Sequence, residues 1–162
     1  MELPVIDSTR RNHALEHATI TVLLHRLGPS SRLMGRSTAR GFYIYGDIPT
    51  VEIMQAAHEG LARLQRGEAE LAVSPLCGTN LAVGGILAGF ASLLALSGKQ
   101  RSDRLSRAIL ASTVALVLAQ PLGRLVQKHL TTSAQLQGVK ISAIIRQGSS
   151  NWVVHKIETT YS

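Results

Sequence analysis

Two histidines four residues apart, His13 and His17, with Glu16 between them, are the residues of this 162-residue chain best placed to do chemistry. On a helix, residues i and i+4 lie one turn apart on one face, so both imidazoles can reach one metal ion. Glu16 is three residues past His13 and close to that face. A carboxylate there can take the proton of a water that the metal activates. The spacing points to a divalent metal, zinc first, and to metal-assisted hydrolysis. The bland alternative is a surface turn with two solvated histidines, because a five-residue pattern is short.

A catalytic zinc takes three protein ligands and keeps one position open. Cys77 is the best third candidate, since a thiolate is a strong zinc ligand. The alternative for Cys77 is a small buried residue at a helix start. His129 and His155 lie beyond the second apolar segment and would have to fold back. On a helix His25 is two turns past His17 and rotated by about 80°, so it points elsewhere. His58 falls on the exposed face of a second helix. Cys77 as a nucleophile has no local signature to support it.

The elements that must position these residues follow from periodicity. Residues 10–27 read as a helix, with Asp7, Ser8 and Thr9 as capping candidates and Gly28-Pro29 as the stop. Its apolar residues spread over most of its circumference, which predicts a largely buried helix. Residues 32–35 and 41–46 read as short strands around a turn at 36–40. A second helix runs from about Val51 to Arg66, with Thr50 as its cap and Gly67 as its stop. Residues 68–74 alternate as a strand. Residues 139–146 and 152–160 read as two further strands around a turn at 147–151.

Between these parts the composition changes. Leu81 to Ser97 is 17 residues without a charge, and Ala108 to Gly123 is uncharged again. Seventeen helical residues span roughly 26 Å, the low edge of what a bilayer core needs. Two helices apolar on every face need a large core around them, and the rest of this chain is too small to supply one. A transmembrane helical hairpin is therefore expected, covering residues 77–126 and joined by the basic loop 98–107. Two C-terminal strands are not stable alone. They are expected to join the N-terminal strands, so residues 127–162 would pack on residues 1–76. The fold class that follows is α+β: a small mixed sheet with two helices, interrupted by the hairpin.

Charge agrees with a membrane setting. The net charge is +7, and residues 1–76 carry eight Arg against eight Asp and Glu. Residues 98–162 hold nine Lys and Arg against two acids, which accounts for the whole excess. Positive charge beside apolar segments suggests lipid headgroups. Only six aromatics are present and none interleaves with a basic run, which argues against a nucleic-acid partner. The single cysteine excludes an internal disulfide framework. The first 30 residues lack the pattern of a signal peptide. Gly85 and Gly89 form a G-x-x-x-G pair, and Ala111, Ala115 and Ala119 a small-residue stripe on the second apolar helix. Such faces allow close helix approach, within the hairpin or to a second copy or a larger membrane complex.

The segment His13-Ala14-Leu15-Glu16-His17-Ala18-Thr19-Ile20, together with Gly35-Arg36-Ser37-Thr38, Gly41-Phe42-Tyr43 and Cys77-Gly78-Thr79-Asn80-Leu81, resembles a family of small bacterial membrane proteins. That family carries a domain of unknown function. The resemblance covers roughly residues 11–126 and implies a two-helix membrane protein without implying an activity. Residues 13–17 alone resemble the inverted H-x-x-E-H motif of zinc peptidases. Those enzymes take a third ligand from a glutamate far downstream. The corresponding window here, about Leu87 to Ser97, contains no Glu. Two functions follow. One is a membrane-bound zinc hydrolase with His13, His17 and Cys77 as ligands and Glu16 as general base. The other is a non-catalytic accessory or assembly subunit of a membrane complex. Near-membrane charge is balanced between the two sides. The N-terminal part lacks a signal to cross, so both termini are expected on the cytoplasmic side of the plasma membrane.

Overall fold

The computed structural model describes residues 5–28, 31–97, 103–148 and 153–161. They form helix α1 (Val5–Leu27), strands β1 (Met34–Thr38) and β2 (Gly41–Tyr45), and helix α2 (Thr50–Gln65). A 3-10 turn (Ala69–Ala72) follows, then helices α3 (Gly78–Leu96) and α4 (Arg104–Val126), a π-helical turn (Gln127–Thr131), and strands β3 (Val139–Gln147) and β4 (Val154–Tyr161). The chain divides into two compact units, the described parts of 1–74 with 128–162, and Pro75–Gln127.

The first unit is α+β. Its sheet has the order β1-β2-β4-β3, and every pairing is antiparallel. Strands from both ends of the chain therefore share one sheet, as the sequence predicts. α1 and α2 cover one face, and Leu15, Leu23, Phe42, Ile44, Ile53 and Ile157 meet at full burial between them. Ile44, His155 and Ile157 alternate with half-buried neighbours, the two-residue period of a half-covered sheet. α1 differs: every residue from Ala14 to Thr19 is buried. It is enclosed by α2, by β1 and β2, and by the 3-10 turn. The segment after the π turn also reaches it, since Ser133 N–H donates to the Arg10 carbonyl at 3.1 Å.

Several boundaries differ from the sequence reading. α1 begins at Val5, so Asp7, Ser8 and Thr9 lie inside its first turns and do not cap it. Asp7 pairs with Arg11 at 3.0 Å, and Thr9 Oγ1 donates to the Val5 carbonyl at 2.7 Å. Arg36, Ser37 and Thr38 belong to β1, which leaves only residues 39 and 40 for the turn. Thr50 does not cap α2; Pro49 occupies that place without a side-chain bond. Residues 68–74 are not a strand. Leu71 and Ala72 are adjacent and both buried, which no alternating strand allows. Part of the expected turn at 147–151 and of the loop at 98–107 lies outside the described residues.

The second unit is a helical hairpin. α3 has 19 residues and α4 has 23, about 28 and 34 Å of helix. Both are long and apolar enough to cross a membrane, and only 11% of each apolar window is buried within the structure. α4 starts at Arg104, earlier than the apolar run, because charge loss marks a hydrophobic span and not the end of a helix. The helices meet through small residues. A Cβ on Gly84 would lie 3.2 Å from Leu116 and 3.9 Å from Ala119, which is itself buried. Ser92 and Ser112 hydroxyls bond across the pair at 2.5 Å. Gln127 Nε2 donates to Asn80 Oδ1 at 2.8 Å near the open end. Gly85 and Gly89 take no part in this contact: among the described residues, nothing lies within 4 Å of a Cβ on either.

Candidate metal centre

His13 and His17 sit on one face of α1, with ring centroids 4.3 Å apart at an interplanar angle of 60°. His17 is buried, and its Nδ1 lies 2.8 Å from the Ala72 carbonyl oxygen. A carbonyl can only accept, so Nδ1 carries a proton, and in the neutral ring the lone pair is then on Nε2. That Nε2 is buried and has no hydrogen-bond partner among the described residues. His13 is held in the same way: its half-buried ring places Nδ1 2.9 Å from the Thr131 carbonyl oxygen. Metal-binding histidines characteristically give their other ring N–H to a carbonyl or carboxylate, which fixes the tautomer and orients the ring. Both histidines have that support. A buried nitrogen left without a partner costs free energy, of order 1–3 kcal/mol, that a metal would recover.

Glu16 is also buried, and its carboxylate is turned toward β1. Ser37 Oγ–H donates to Glu16 Oε2. A Cβ on Gly35 would stand 2.0 Å from Glu16 Oε1, so a larger residue there would displace the carboxylate from this position. One turn earlier on the same stripe, Asn12 Nδ2 donates to the Thr38 carbonyl at 2.9 Å, and its Oδ1 accepts from Thr159 Oγ1 at 2.7 Å. β1 and β4 thus fix the rotation of α1, and with it the direction of the histidine face.

Cys77 belongs to the second unit, where it is the N-cap of α3. Its sulfur accepts from Thr79 N–H at 3.4 Å. Amide dipoles at a helix N-terminus favour negative charge there. Cys77 also lines a groove of about 470 Å³ between α3 and α4, with Leu76, Asn80, Leu81 and Gly84 among its other walls. By donor chemistry His13 and His17 in the first unit, and Cys77 in the second, are each residues that a divalent metal can take as ligands.

The remaining histidines go elsewhere. His25 and His58 are exposed. His129 lies in the π turn, and its carbonyl accepts from Arg10 Nη2 at 3.0 Å. His155 is buried on β4 with Nε2 3.1 Å from Thr50 Oγ1, and burial, helped by nearby Arg146, pushes its pKa below the usual histidine value. Gly35, Ser37 and the Ala72 and Thr131 carbonyls are the parts of the centre that sequence reasoning did not assign. The Gly35–Thr38 run was visible as a motif, but its role is not, because Ser37 and Glu16 are 21 residues apart. Backbone acceptors leave no sequence signal at all.

Fold and site define an α+β unit with a histidine pair on α1, one ring buried and one half-buried, interrupted by an apolar helical hairpin. The chain belongs to the family described as Domain of unknown function (DUF6391), whose model matches residues 8–144. It is similar to an uncharacterised protein of Picosynechococcus sp. (strain PCC 7002), with 35% identity over 140 residues, covering 78% of this chain and 67% of that protein. No solved structure matches the chain.

Proposed function

We propose that this protein is a small integral-membrane metalloprotein in which His13 and His17 bind zinc through Nε2, Cys77 is the third donor, and Glu16 is the general base of a hydrolysis. The observation that carries the metal reading is His17: a buried imidazole with its Nδ1 proton committed to Ala72 and an unpartnered Nε2. Chain length supports Cys77. It follows Ala72 by five residues, so the backbone cannot carry it more than about 17 Å from the residue that holds His17. Bound zinc would supply Lewis acidity and charge stabilisation. Glu16 would accept the proton of the attacking water and return it to the leaving group, with the water oxygen ending on the cleaved carbonyl. The groove beside Cys77 has room for an extended apolar substrate.

Glu16→Gln is the test of the chemical half. A general base is not a ligand, so the variant is expected to keep its zinc and lose hydrolysis of a peptide library. Loss of zinc together with activity would instead make Glu16 a ligand.

A second reading, an accessory or assembly subunit, is favoured by Gly85 and Gly89. They lie on α3 with nothing packed against them, while Ala119 is already used inside the hairpin. A homo-oligomer or a membrane-complex partner would dock there. Both readings place α3 and α4 in the plasma membrane and the two termini in the cytoplasm. In a Cys77→Ser background, Ser102→Cys is then expected to react with an impermeant maleimide in intact cells, and His58→Cys only after lysis. The reverse pattern inverts the orientation.

A further inference from the structure

We infer that Ser37 and Gly35 form a positioning device for Glu16, making β1 the second half of the metal centre. This rests on the metal reading above. The two residues act on opposite oxygens of one carboxylate. Ser37 Oγ–H donates to Oε2, and the missing Cβ of Gly35 leaves the space that Oε1 occupies. A glutamate side chain has three rotatable bonds and, on an exposed helix, samples many rotamers. Here burial and these two contacts select one. On α1 the Glu16 position is about 60° around the helix from His13 and about 100° from His17. A glutamate that rotated freely would serve the histidine face only part of the time. Pre-organisation of a base next to a metal is what makes proton transfer efficient, because no reorganisation is then needed at the moment of reaction.

The backbone around the device is fixed as well. Ser37 pairs with Phe42 and Gly35 with Ile44, both fully buried residues of β2. Thr38, next to Ser37, gives its carbonyl to Asn12, one turn before Glu16. The strand and the helix are therefore joined at successive turns, Thr38 to Asn12 and Ser37 to Glu16. Ser37 touches neither substrate nor metal in this account; it acts through Glu16.

The experiment uses the full chain in detergent, stripped of metal and loaded with Co(II), whose visible ligand-field spectrum reports the environment of the ion at fixed pH. The variants are Glu16→Gln, Ser37→Ala, and the isosteric pair Ser37→Thr and Ser37→Val, which differ only in the hydroxyl. Glu16→Gln is expected to shift the spectrum at unchanged Co(II) stoichiometry. Ser37→Ala and Ser37→Val should reproduce that shift, and Ser37→Thr should return the wild-type spectrum. Co(II) should still bind at the wild-type stoichiometry throughout, since none of the proposed ligands is removed. A wild-type spectrum for Ser37→Val alongside a shifted one for Glu16→Gln overturns the inference. So does a shifted spectrum for a folded Ser37→Thr. If Glu16→Gln itself leaves the spectrum unchanged, the carboxylate is not at the metal; the inference falls and the histidine site stands. If the wild-type chain binds no Co(II), both fall. Should Ser37→Ala fail to fold, the Thr and Val pair decides alone.

Discussion

Replacing His13 and His17 together by alanine is expected to abolish stoichiometric zinc in the purified protein. Zinc held by protein donors is worth about 10 kcal/mol or more at neutral pH, and removing two of three donors leaves too little to survive purification. The paired readout is thermal. The metal-free wild type carries the unpartnered Nε2 of His17 in a buried site. Adding zinc should therefore raise its melting temperature, by mass action on the folded state. The double variant should gain nothing from the same addition. Undiminished zinc in that variant would mean that the metal, if present, sits elsewhere.

The second large effect is expected at Gly41→Ala, by a different mechanism. Gly41 opens β2 with φ of +138°, a backbone conformation that residues with a Cβ rarely adopt. A Cβ built there would stand 2.0 Å from the Ile157 carbonyl oxygen and 3.0 Å from the Glu158 Cα. Both obstacles are backbone of β4, the partner strand, so no side-chain rotation relieves them. Strain and displaced pairing together should cost roughly 3 kcal/mol or more. That corresponds to a drop of about 10 °C or more in the melting temperature of the α+β unit. Circular dichroism on the wild type and the variant measures it. A change under about 2 °C would show that β2 and β4 approach less closely than described.

The α+β unit was legible in outline because its signals are local. The three-to-four-residue period of α1 and α2, the Gly-bounded aromatic run at 41–46, and the two charge-free segments each announce their own element. The argument that two terminal strands cannot stand alone is what brought β3 and β4 to the N-terminal sheet. What failed was local in a different way. Asp7, Ser8 and Thr9 are three acceptable caps in a row, yet the helix runs through all of them, with Asp7 paired to Arg11 and Thr9 bonded back to Val5. Residues 68–74 look alternating, but the Ala72 carbonyl is claimed by His17, 55 residues away, and the turn bends to meet it.

The site was half legible for the same reason. The spacing of His13, Glu16 and His17 is written in the sequence, and so is the choice of Cys77 as the one thiol. The carbonyls that set the histidine tautomers, the Ser37 hydroxyl and the space at Gly35 all arrive through tertiary contact. Only folding brings them to α1. The G-x-x-x-G pair shows the limit of motif reasoning on a helix surface. Gly85 and Gly89 suggest a contact, yet the hairpin packs through Gly84, one residue and about 100° around the helix.

The central claim is a zinc ion held by His13, His17 and Cys77. X-ray absorption at the zinc edge of the zinc-loaded full chain tests it most directly. The expected result is one sulfur neighbour at about 2.3 Å and two imidazole nitrogens at about 2.0–2.1 Å, with one further light atom in the open position. The sulfur shell should disappear in Cys77→Ser, and the imidazole scattering should disappear in His13→Ala/His17→Ala. A shell of oxygen neighbours alone, with neither sulfur nor imidazole, would contradict the account.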